Sequence, residues 1–192
     1  MDYNLDLPLP NELHVVFGIH AGEHRVLDLA ARLALLGPLY ILDCGNRGNM
    51  HVVAKSLRTH THDPASALNN IRLSRAFTCY QVKTLVKKVP LTSSAPVLIL
   101  DLLSTFLDES VRAQESSVLF TETMNYIEAL SRATPVLVTA KPFTALSAPR
   151  LGLLSELRQR ANRIWEEMPM QTPLKANQQP SLFGDSFFGG KR

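Results

Sequence analysis

Apolar runs alternate with stretches of helical periodicity along most of the chain. The runs are rich in Val, Ile and Leu in near-continuous order, which is typical of strands that are covered on both faces. They lie at Leu13–Ile19, Leu39–Cys44, Ile71–Phe77, Pro96–Leu103 and Pro135–Ala140. Runs of this kind separated by helices predict an α/β fold, with a mostly parallel β-sheet and helices on both faces.

The helical stretches are recognised by apolar residues at helical spacing and by their end signals. Val26–Leu36 is followed by Gly37 and Pro38, the residues expected just after a helix. Three further helices are predicted at Gln81–Val89, Ser116–Ala133 and Leu151–Trp165. Turn-forming residues predict loops at Thr59–Ser66 and Pro90–Pro96.

Composition fits one globular domain followed by a tail. The chain has 192 residues, of which 45% are hydrophobic and 19% charged, enough to bury a core of its own. We expect a core domain at residues 1–168. Residues 169–192 are rich in Pro, Gln and Gly without a sustained period, and we expect a flexible tail there.

The expected location is the cytoplasm. No apolar run approaches the roughly 20 residues that a membrane-spanning helix needs, and the first residues carry acid and proline where a signal peptide would carry base and leucine. Cys44 and Cys79 lie in apolar segments without metal-type spacing, so free thiols in a reducing compartment are expected.

Four segments follow one another in an informative order. A strand ends in Gly18, a second ends in Asp43, a third carries NIRLSRAFTCYQ, and the strand VLILD ends in Asp101. This order resembles the RecA/Rad recombinase family, over about Leu13 to Trp165. In that family these positions hold the phosphate-binding loop, an acidic strand end, a specific motif and the magnesium-linked aspartate. The motif is matched at Asn70, Ile71, Arg75, Ala76, Phe77 and Gln81.

The phosphate-binding loop departs from the family's pattern. A working loop reads G-x-x-x-x-G-K-[ST], because its lysine reaches the β and γ phosphates and its hydroxyl binds magnesium. Counted from Gly18, the second glycine, the lysine and the threonine fall on Glu23, His24 and Arg25. With a one-residue deletion Gly22 is kept, but the lysine becomes Glu23. An anionic Glu23 beside a triphosphate would be repulsive, although His24 or Arg25 would compensate in part.

The resemblance therefore implies a degenerate nucleotide site formed by Gly18, Gly22, Glu23, His24, Asp43 and Asp101. The family's catalytic glutamate would lie two places after Asp43, where this chain has Gly45. We expect no ATP hydrolysis, no cofactor and no resident metal. The alternative is a generic α/β protein in which Gly18 and Gly22 simply make a tight turn. The rival from another class is an ATPase that uses His24 or Arg25 in place of the lysine.

Accessory paralogues of this family keep the RecA-like surface and lose ATP hydrolysis. The resemblance thus implies a role in DNA repair, recombination or damage-tolerant replication, by assembly with a recombinase, a DNA polymerase or another RecA-like paralogue. Bacterial proteins of the ImuA/SulA type are the nearest in kind. A third possibility is a single-stranded-DNA-binding module, for which Arg47, Arg72 and Arg75 are the candidate contacts. The net charge of +3 permits an anionic partner without requiring one.

The tail carries a second signal. Gln179, Ser181, Leu182 and Phe183 match the pattern Q-x-[SD]-L-F, which resembles the peptide that bacterial replication proteins insert into the sliding clamp. An extended segment of this kind offers a glutamine for hydrogen bonds and two apolar side chains for a pocket. The alternatives are a tail that folds back on the domain or packs against another partner. His60 and His62 have no third ligand nearby in the sequence, which favours a solvated loop over a metal site.

Overall fold

The computed structural model describes residues 11–18, 23–141 and 148–167. Six strands are present in this part of the chain: β1 Leu13–Phe17, β2 Leu39–Asp43, β3 Ile71–Arg75, β4 Val97–Leu100, β5 Val136–Ala140 and β6 Arg163–Glu166. The helices are α1 Glu23–Leu36, α2 Met50–His60, α3 Pro64–Asn69, α4 Cys79–Lys88, α5 Ala113–Ser131 and α6 Ala148–Arg160. A 3-10 turn at Ser104–Leu107 follows β4.

The strands form one sheet in the order β3-β2-β4-β5-β1-β6. Every pairing is parallel, for example β1 with β5 and β2 with β4. Strand β4, which Asp101 follows directly, is therefore separated from β1 by β5. The predicted α/β fold is confirmed, and the arrangement is compatible with a RecA-like core.

Helices cover both faces of the sheet because neighbouring residues of a strand point to opposite sides. On one face, a buried cluster joins Val15, Ile99 and Val138 to α4, α5 and α6. On the other face, a second cluster joins Val16 and Leu98 to α1, α2 and α3. Burial on both sides explains why the central strands are nearly continuous in apolar residues.

The predicted helix at Leu151–Trp165 is wrong in its last part. Helix α6 ends at Arg160, and the chain then forms β6 beside β1. Asn162 causes the change of direction: its side-chain oxygen accepts a hydrogen bond from the Leu13 backbone N–H at 2.7 Å, and its own N–H donates to the Leu13 carbonyl at 2.9 Å. This reciprocal pair starts the parallel ladder on the edge of the sheet.

The segment between β2 and β3 is more helical than predicted. Helix α2 occupies Met50–His60, where no element was expected, and α3 begins at Pro64 inside the predicted loop Thr59–Ser66. Asp63 caps α3 by accepting a hydrogen bond from the Ser66 N–H at 3.1 Å. Proline at the first helical position is favourable because its missing N–H would have no partner there.

Within the residues described, no helix is both long enough and apolar enough to cross a lipid bilayer. Cys44 and Cys79 are buried free thiols. Burial raises the pKa of the Cys44 thiol far above its usual value, and the carboxylates of Asp43 and Asp101 add to this shift. Cys44 is therefore a packing residue of the core rather than a reactive thiolate.

Candidate functional site at the carboxyl ends of the strands

The residues that the sequence singles out meet at one edge of the sheet. Because all strands are parallel, their carboxyl ends lie together, and this is where open α/β sheets bind ligands. We call this region the carboxyl edge. It comprises Gly18 after β1, Asp43 at the end of β2, Arg75 at the end of β3, Asp101 after β4 and Lys141 after β5.

Asp43 is fully buried and fully engaged by its own surroundings. One carboxylate oxygen accepts the Arg47 backbone N–H at 2.8 Å, and the other accepts the Gly48 N–H at 2.9 Å. The second oxygen also receives the Arg75 guanidinium at 3.1 Å. Arg75 donates in addition to the Gly48 carbonyl at 3.0 Å. Asp43 thus organises the loop that follows β2, and Arg75 neutralises it.

Asp101 is held in a comparable way by two basic side chains. Its Oδ2 lies 3.4 Å from Arg47 Nε and 3.9 Å from Lys141 Nζ, and its backbone N–H donates to Thr139 Oγ1 at 2.8 Å. Its backbone is left-handed, with a φ of 51°, which aspartate tolerates better than most residues. Burial raises the pKa of Asp101, while the charge and hydrogen bond of Arg47 oppose that shift.

Asp101 Oδ1 is buried and has no hydrogen-bond partner among residues 11–18, 23–141 and 148–167. An unpaired carboxylate oxygen in the interior is costly, which agrees with the raised pKa. The other three carboxylate oxygens of Asp43 and Asp101 each have a partner within the protein.

The loop after β2 approaches both aspartates closely at Gly45 and Gly48. A Cβ built on Gly45 would lie 2.5 Å from both Cβ and Oδ2 of Asp101. A Cβ on Gly48 would lie 2.8 Å from Oδ2 of Asp43. Both glycines are therefore required by the close approach of this loop to the two aspartates. The structure therefore leaves no room for a side chain at position 45.

The start of α1 supplies no lysine to this edge. Glu23 is the first residue of the helix, and His24 and Arg25 are exposed in its first turn. Gly22 lies outside the described residues. Gly18 is buried, and a Cβ built on it would collide with the carboxylate of Glu167. The backbone N–H of Glu167 donates to the Phe17 carbonyl at 2.7 Å, so an acidic side chain is fixed beside the first residue of the loop.

The motif from Arg75 to Gln81 has a local structural explanation. Thr78 caps α4 by accepting the Gln81 N–H at 3.3 Å, and Gln81 Oε1 accepts the Phe77 N–H at 2.7 Å. This reciprocal cap fixes the entry to the helix. Ala76 is buried, whereas Phe77 is 72% exposed. The motif therefore neutralises Asp43 through Arg75 and presents an aromatic side chain on the surface.

The structure separates the three predicted DNA contacts. Arg47 and Arg75 meet at the loop after β2, where each is paired with an aspartate. Arg72 lies three residues before Arg75 on edge strand β3, so the two side chains point to opposite faces of the sheet. Arg72 stacks on the Tyr40 ring at 5.3 Å and donates to its hydroxyl at 2.8 Å.

Three residues of this edge were not predicted from the sequence: Thr139, Lys141 and Glu167. Thr139 is the next-to-last residue of β5, and Lys141 and Glu167 directly follow β5 and β6, strands whose neighbours could not be known without the strand order. Gln179, Ser181, Leu182 and Phe183 lie outside the described residues, as does the whole predicted tail. No group of three or more His, Cys, Asp or Glu side chains is arranged to hold a metal ion in the parts of the chain that the structure describes.

The fold and the carboxyl edge define an α/β protein whose strand ends carry ion pairs formed within the chain. No protein-family model matches the chain, and no curated protein matches it in sequence.

Proposed function

We propose that this protein is a non-catalytic, RecA-like accessory protein that acts by assembly with other proteins in DNA repair, recombination or damage-tolerant replication. The observation that carries the non-catalytic part is the pairing of Asp43 with Arg75 and of Asp101 with Arg47. In a nucleotide-hydrolysing relative these carboxylates would face magnesium and the nucleotide. Here they stabilise the loop after β2.

Electrostatics argues against a magnesium nucleotide at this edge. A magnesium ion on Asp101 would lie beside the cations of Arg47 and Lys141, which already contact its Oδ2. Two like unit charges about 4 Å apart repel by about 4 kcal/mol at an effective dielectric constant of about 20. Phosphates near Gly18 would in turn meet the Glu167 carboxylate. The cations at Asp101 would therefore repel the magnesium ion, and the Glu167 carboxylate would repel the phosphates.

A core of this kind would act by assembly with other proteins rather than by catalysis. The assignment to DNA repair and to a recombinase, a polymerase or a RecA-like paralogue as partner rests on the resemblance described above. The exposed Phe77 offers an apolar contact on the surface, and the segment with Gln179, Ser181, Leu182 and Phe183 offers a tether to the sliding clamp.

Calorimetry with the full chain tests the nucleotide part. We expect no saturable heat when ATP is added with magnesium at protein concentrations of tens of micromolar, and no phosphate release. Asp101→Asn is the comparison variant. Micromolar, magnesium-dependent binding that this substitution abolishes would overturn the proposal in favour of an ATPase with a non-standard phosphate loop.

The assembly part has its own test. A purified bacterial sliding clamp and a RecA-type recombinase are each mixed with the full chain, and complexes are separated by size-exclusion chromatography with light scattering. Replacing Leu182 and Phe183 by alanine should abolish retention on the clamp. Replacing Phe187 and Phe188, which lie outside the pattern, is the matched control. Clamp binding that survives the first change would contradict the tether.

The same samples test the nucleic-acid alternative. Binding to labelled single-stranded DNA that falls steeply with salt would favour it. Because Tyr40 is the one partner of Arg72 among the described residues, a DNA site should depend on Arg72 at least as strongly as on Arg75. DNA-binding signals that do not change with salt and are equal for Arg72→Ala and Arg75→Ala would speak against nucleic-acid binding.

A further inference from the structure

Three basic side chains converge around the two buried aspartates of the carboxyl edge. Arg47 and Lys141 both lie against Oδ2 of Asp101, at 3.4 and 3.9 Å. Arg75 lies against Oδ2 of Asp43 at 3.1 Å, and the other oxygen of Asp43 accepts the Arg47 backbone N–H. We call Arg47, Arg75 and Lys141 the basic cluster. Its members come from three separate segments of the chain, and the aspartates hold them together.

The basic cluster keeps N–H donors that the aspartates do not use. Arg47 donates to Asp101 through Nε, and its two terminal nitrogens have no partner among the described residues. Arg75 uses Nε and Nη2, which leaves Nη1. The contact of Lys141 Nζ with Asp101 is longer than a hydrogen bond. The unused nitrogens of Arg47 and Lys141 are accessible to solvent, unlike the buried Oδ1 of Asp101.

The basic cluster presents a positive charge to solvent. The side chains of Asp43 and Asp101 are buried, whereas those of Arg47, Arg75 and Lys141 are 30%, 43% and 29% exposed. Three cations against two carboxylates leave one positive charge in excess. Helices α2 and α4 also begin at this edge of the sheet, and each helix N-terminus is equivalent to roughly half a positive charge.

Other acidic side chains of this edge oppose the positive charge only in part. Glu167 directly follows β6, which is three strand spacings of about 4.8 Å from β4, and salt screens exposed charges at such distances. The loop before α5 and its first turn hold three more acids, Asp108, Glu109 and Glu115. The pKa of Asp101, which burial raises, responds to the charges of Arg47 and Asp43 and to none of these three.

An exposed aromatic side chain lies next to the basic cluster. Phe77 is two residues after Arg75, so their Cα atoms lie within about 7 Å of each other. The Phe77 side chain is 72% exposed. Its backbone N–H donates to Gln81 Oε1 at 2.7 Å, which fixes the backbone at this position. A ring carried on a fixed backbone has little conformational entropy to lose when another apolar side chain packs against it.

We propose that the basic cluster binds one carboxylate of an acidic segment in a partner protein, and that Phe77 packs against an apolar side chain next to that carboxylate. A guanidinium matches a carboxylate through two parallel N–H bonds, and both terminal nitrogens of Arg47 are free for this. A single carboxylate also balances the one excess positive charge. The proposal rests on the proposed assembly function for the identity of the partner.

The compactness of the basic cluster favours a carboxylate over a nucleic acid. Single strands are bound along grooves in which several cations follow the backbone and aromatic side chains stack on successive bases. Here three cations meet around two carboxylates. Arg72, the next basic residue of β3, is turned to the other face of the sheet, where it contacts Tyr40. A chain of phosphates would therefore meet one excess charge where it needs several.

The test uses the full chain and two peptide probes, acetyl-Gly-Leu-Glu-Gly-amide and its neutral analogue acetyl-Gly-Leu-Gln-Gly-amide. Amide chemical shifts in NMR spectra follow each titration. With the glutamate probe at millimolar concentration we expect saturable shifts at Arg47, Gly48, Phe77 and Lys141. The glutamine probe should bind at least about fivefold more weakly, because it lacks the charge that pairs with the guanidinium.

Two substitutions test the contacts. Lys141→Gln should weaken the glutamate probe about threefold, since it removes one partly exposed cation. Lys88→Gln is the matched control, because Lys88 is an exposed lysine in the last turn of α4, at the opposite edge of the sheet, and its replacement should leave the affinity unchanged. Phe77→Ala should weaken the glutamate probe but not sodium acetate, which has no apolar side chain. Thermal melting checks that each variant is folded.

The proposal fails on any of four outcomes. They are equal binding of the two peptide probes, equal losses of affinity in Lys141→Gln and Lys88→Gln, tighter binding of inorganic phosphate than of the glutamate probe at the same amides, and tighter binding of a short oligothymidine strand there. The titration contains no clamp and no recombinase, so failure of those assemblies would leave its result unchanged. Failure of the titration would likewise leave the expected absence of ATP turnover unaffected.

Discussion

The buried side chain of Arg150 offers the sharpest stability prediction. Arg150 lies in the first turn of α6 and is 6% exposed. Its guanidinium donates to the carbonyls of Phe106, Asp108 and Val111 at 3.0, 3.0 and 2.9 Å. No carboxylate is paired with it within the described residues. The loop between the 3-10 turn and α5 is therefore held in place by one side chain from another helix.

The expected cost of Arg150→Met follows from these three bonds. A hydrogen bond from a charged donor contributes about 1.5 to 3 kcal/mol, so three of them contribute roughly 5 kcal/mol or more. Removing a buried cation recovers part of this, because a desolvated charge is itself unfavourable. The remainder is a loss of about 3 kcal/mol in the free energy of unfolding. For a chain of this size such a loss lowers Tm by about 6 to 12 °C.

Urea denaturation followed by circular dichroism measures this quantity. Arg132→Met is the matched control, because Arg132 is exposed at the end of α5 and its replacement should change stability by less than about 0.5 kcal/mol. Hydrogen exchange should also accelerate between residues 105 and 112 in the Arg150 variant. A loss below about 1 kcal/mol with unchanged exchange would refute the reasoning, since the carbonyls would then have other partners.

Three further predictions concern single side chains. Gly45→Ala should destabilise the protein by about 2 kcal/mol, because its Cβ would lie 2.5 Å from Asp101, whereas Gly152→Ala in open space on α6 should stabilise it by about 0.5 to 1 kcal/mol; urea titrations distinguish them. Because the pKa of Asp101 is raised in the folded state, its contribution to stability is lost as pH rises above the unfolded value of about 3.9 through the folded pKa. Asp101→Asn should therefore gain in Tm relative to the native chain over that interval, and parallel pH profiles would exclude this. Thr105→Val should raise the free energy of unfolding by about 1 kcal/mol, and a decrease would show that the hydroxyl is already paired.

The sheet could be predicted because its central strands are buried on both faces and are therefore rich in apolar residues. The five predicted runs correspond to β1 through β5, with ends displaced by up to three residues. Strand β6 was missed because it is a four-residue edge strand with mostly exposed side chains, and its sequence continues the apolar spacing of α6. What separates the two elements is the pair of hydrogen bonds between Asn162 and Leu13, a contact across 149 residues that no local pattern reveals.

The site was predictable only in part, for a similar reason. Asp43 and Asp101 were expected at the carboxyl edge because each closes an apolar run, and the structure places them there. Arg47 was a candidate because it lies in a loop at a strand end, but its pairing with Asp101 depends on β2 and β4 being neighbours. The contribution of Lys141 depends likewise on β5 lying beside β4. Strand order is set by long-range packing, so the sequence identifies candidate site residues more readily than the residues with which they pair.

The departures from the recombinase pattern act together rather than one by one. Restoring a lysine at Glu23 would still leave Arg47 and Lys141 on Asp101. Removing both of these cations would leave a buried carboxylate without partners, which is strongly unfavourable. Gly45 would still exclude a catalytic glutamate. Because these residues are part of the packing around the loop after β2, a nucleotide site at this edge would require rebuilding that loop, and the ion pairs there stabilise it.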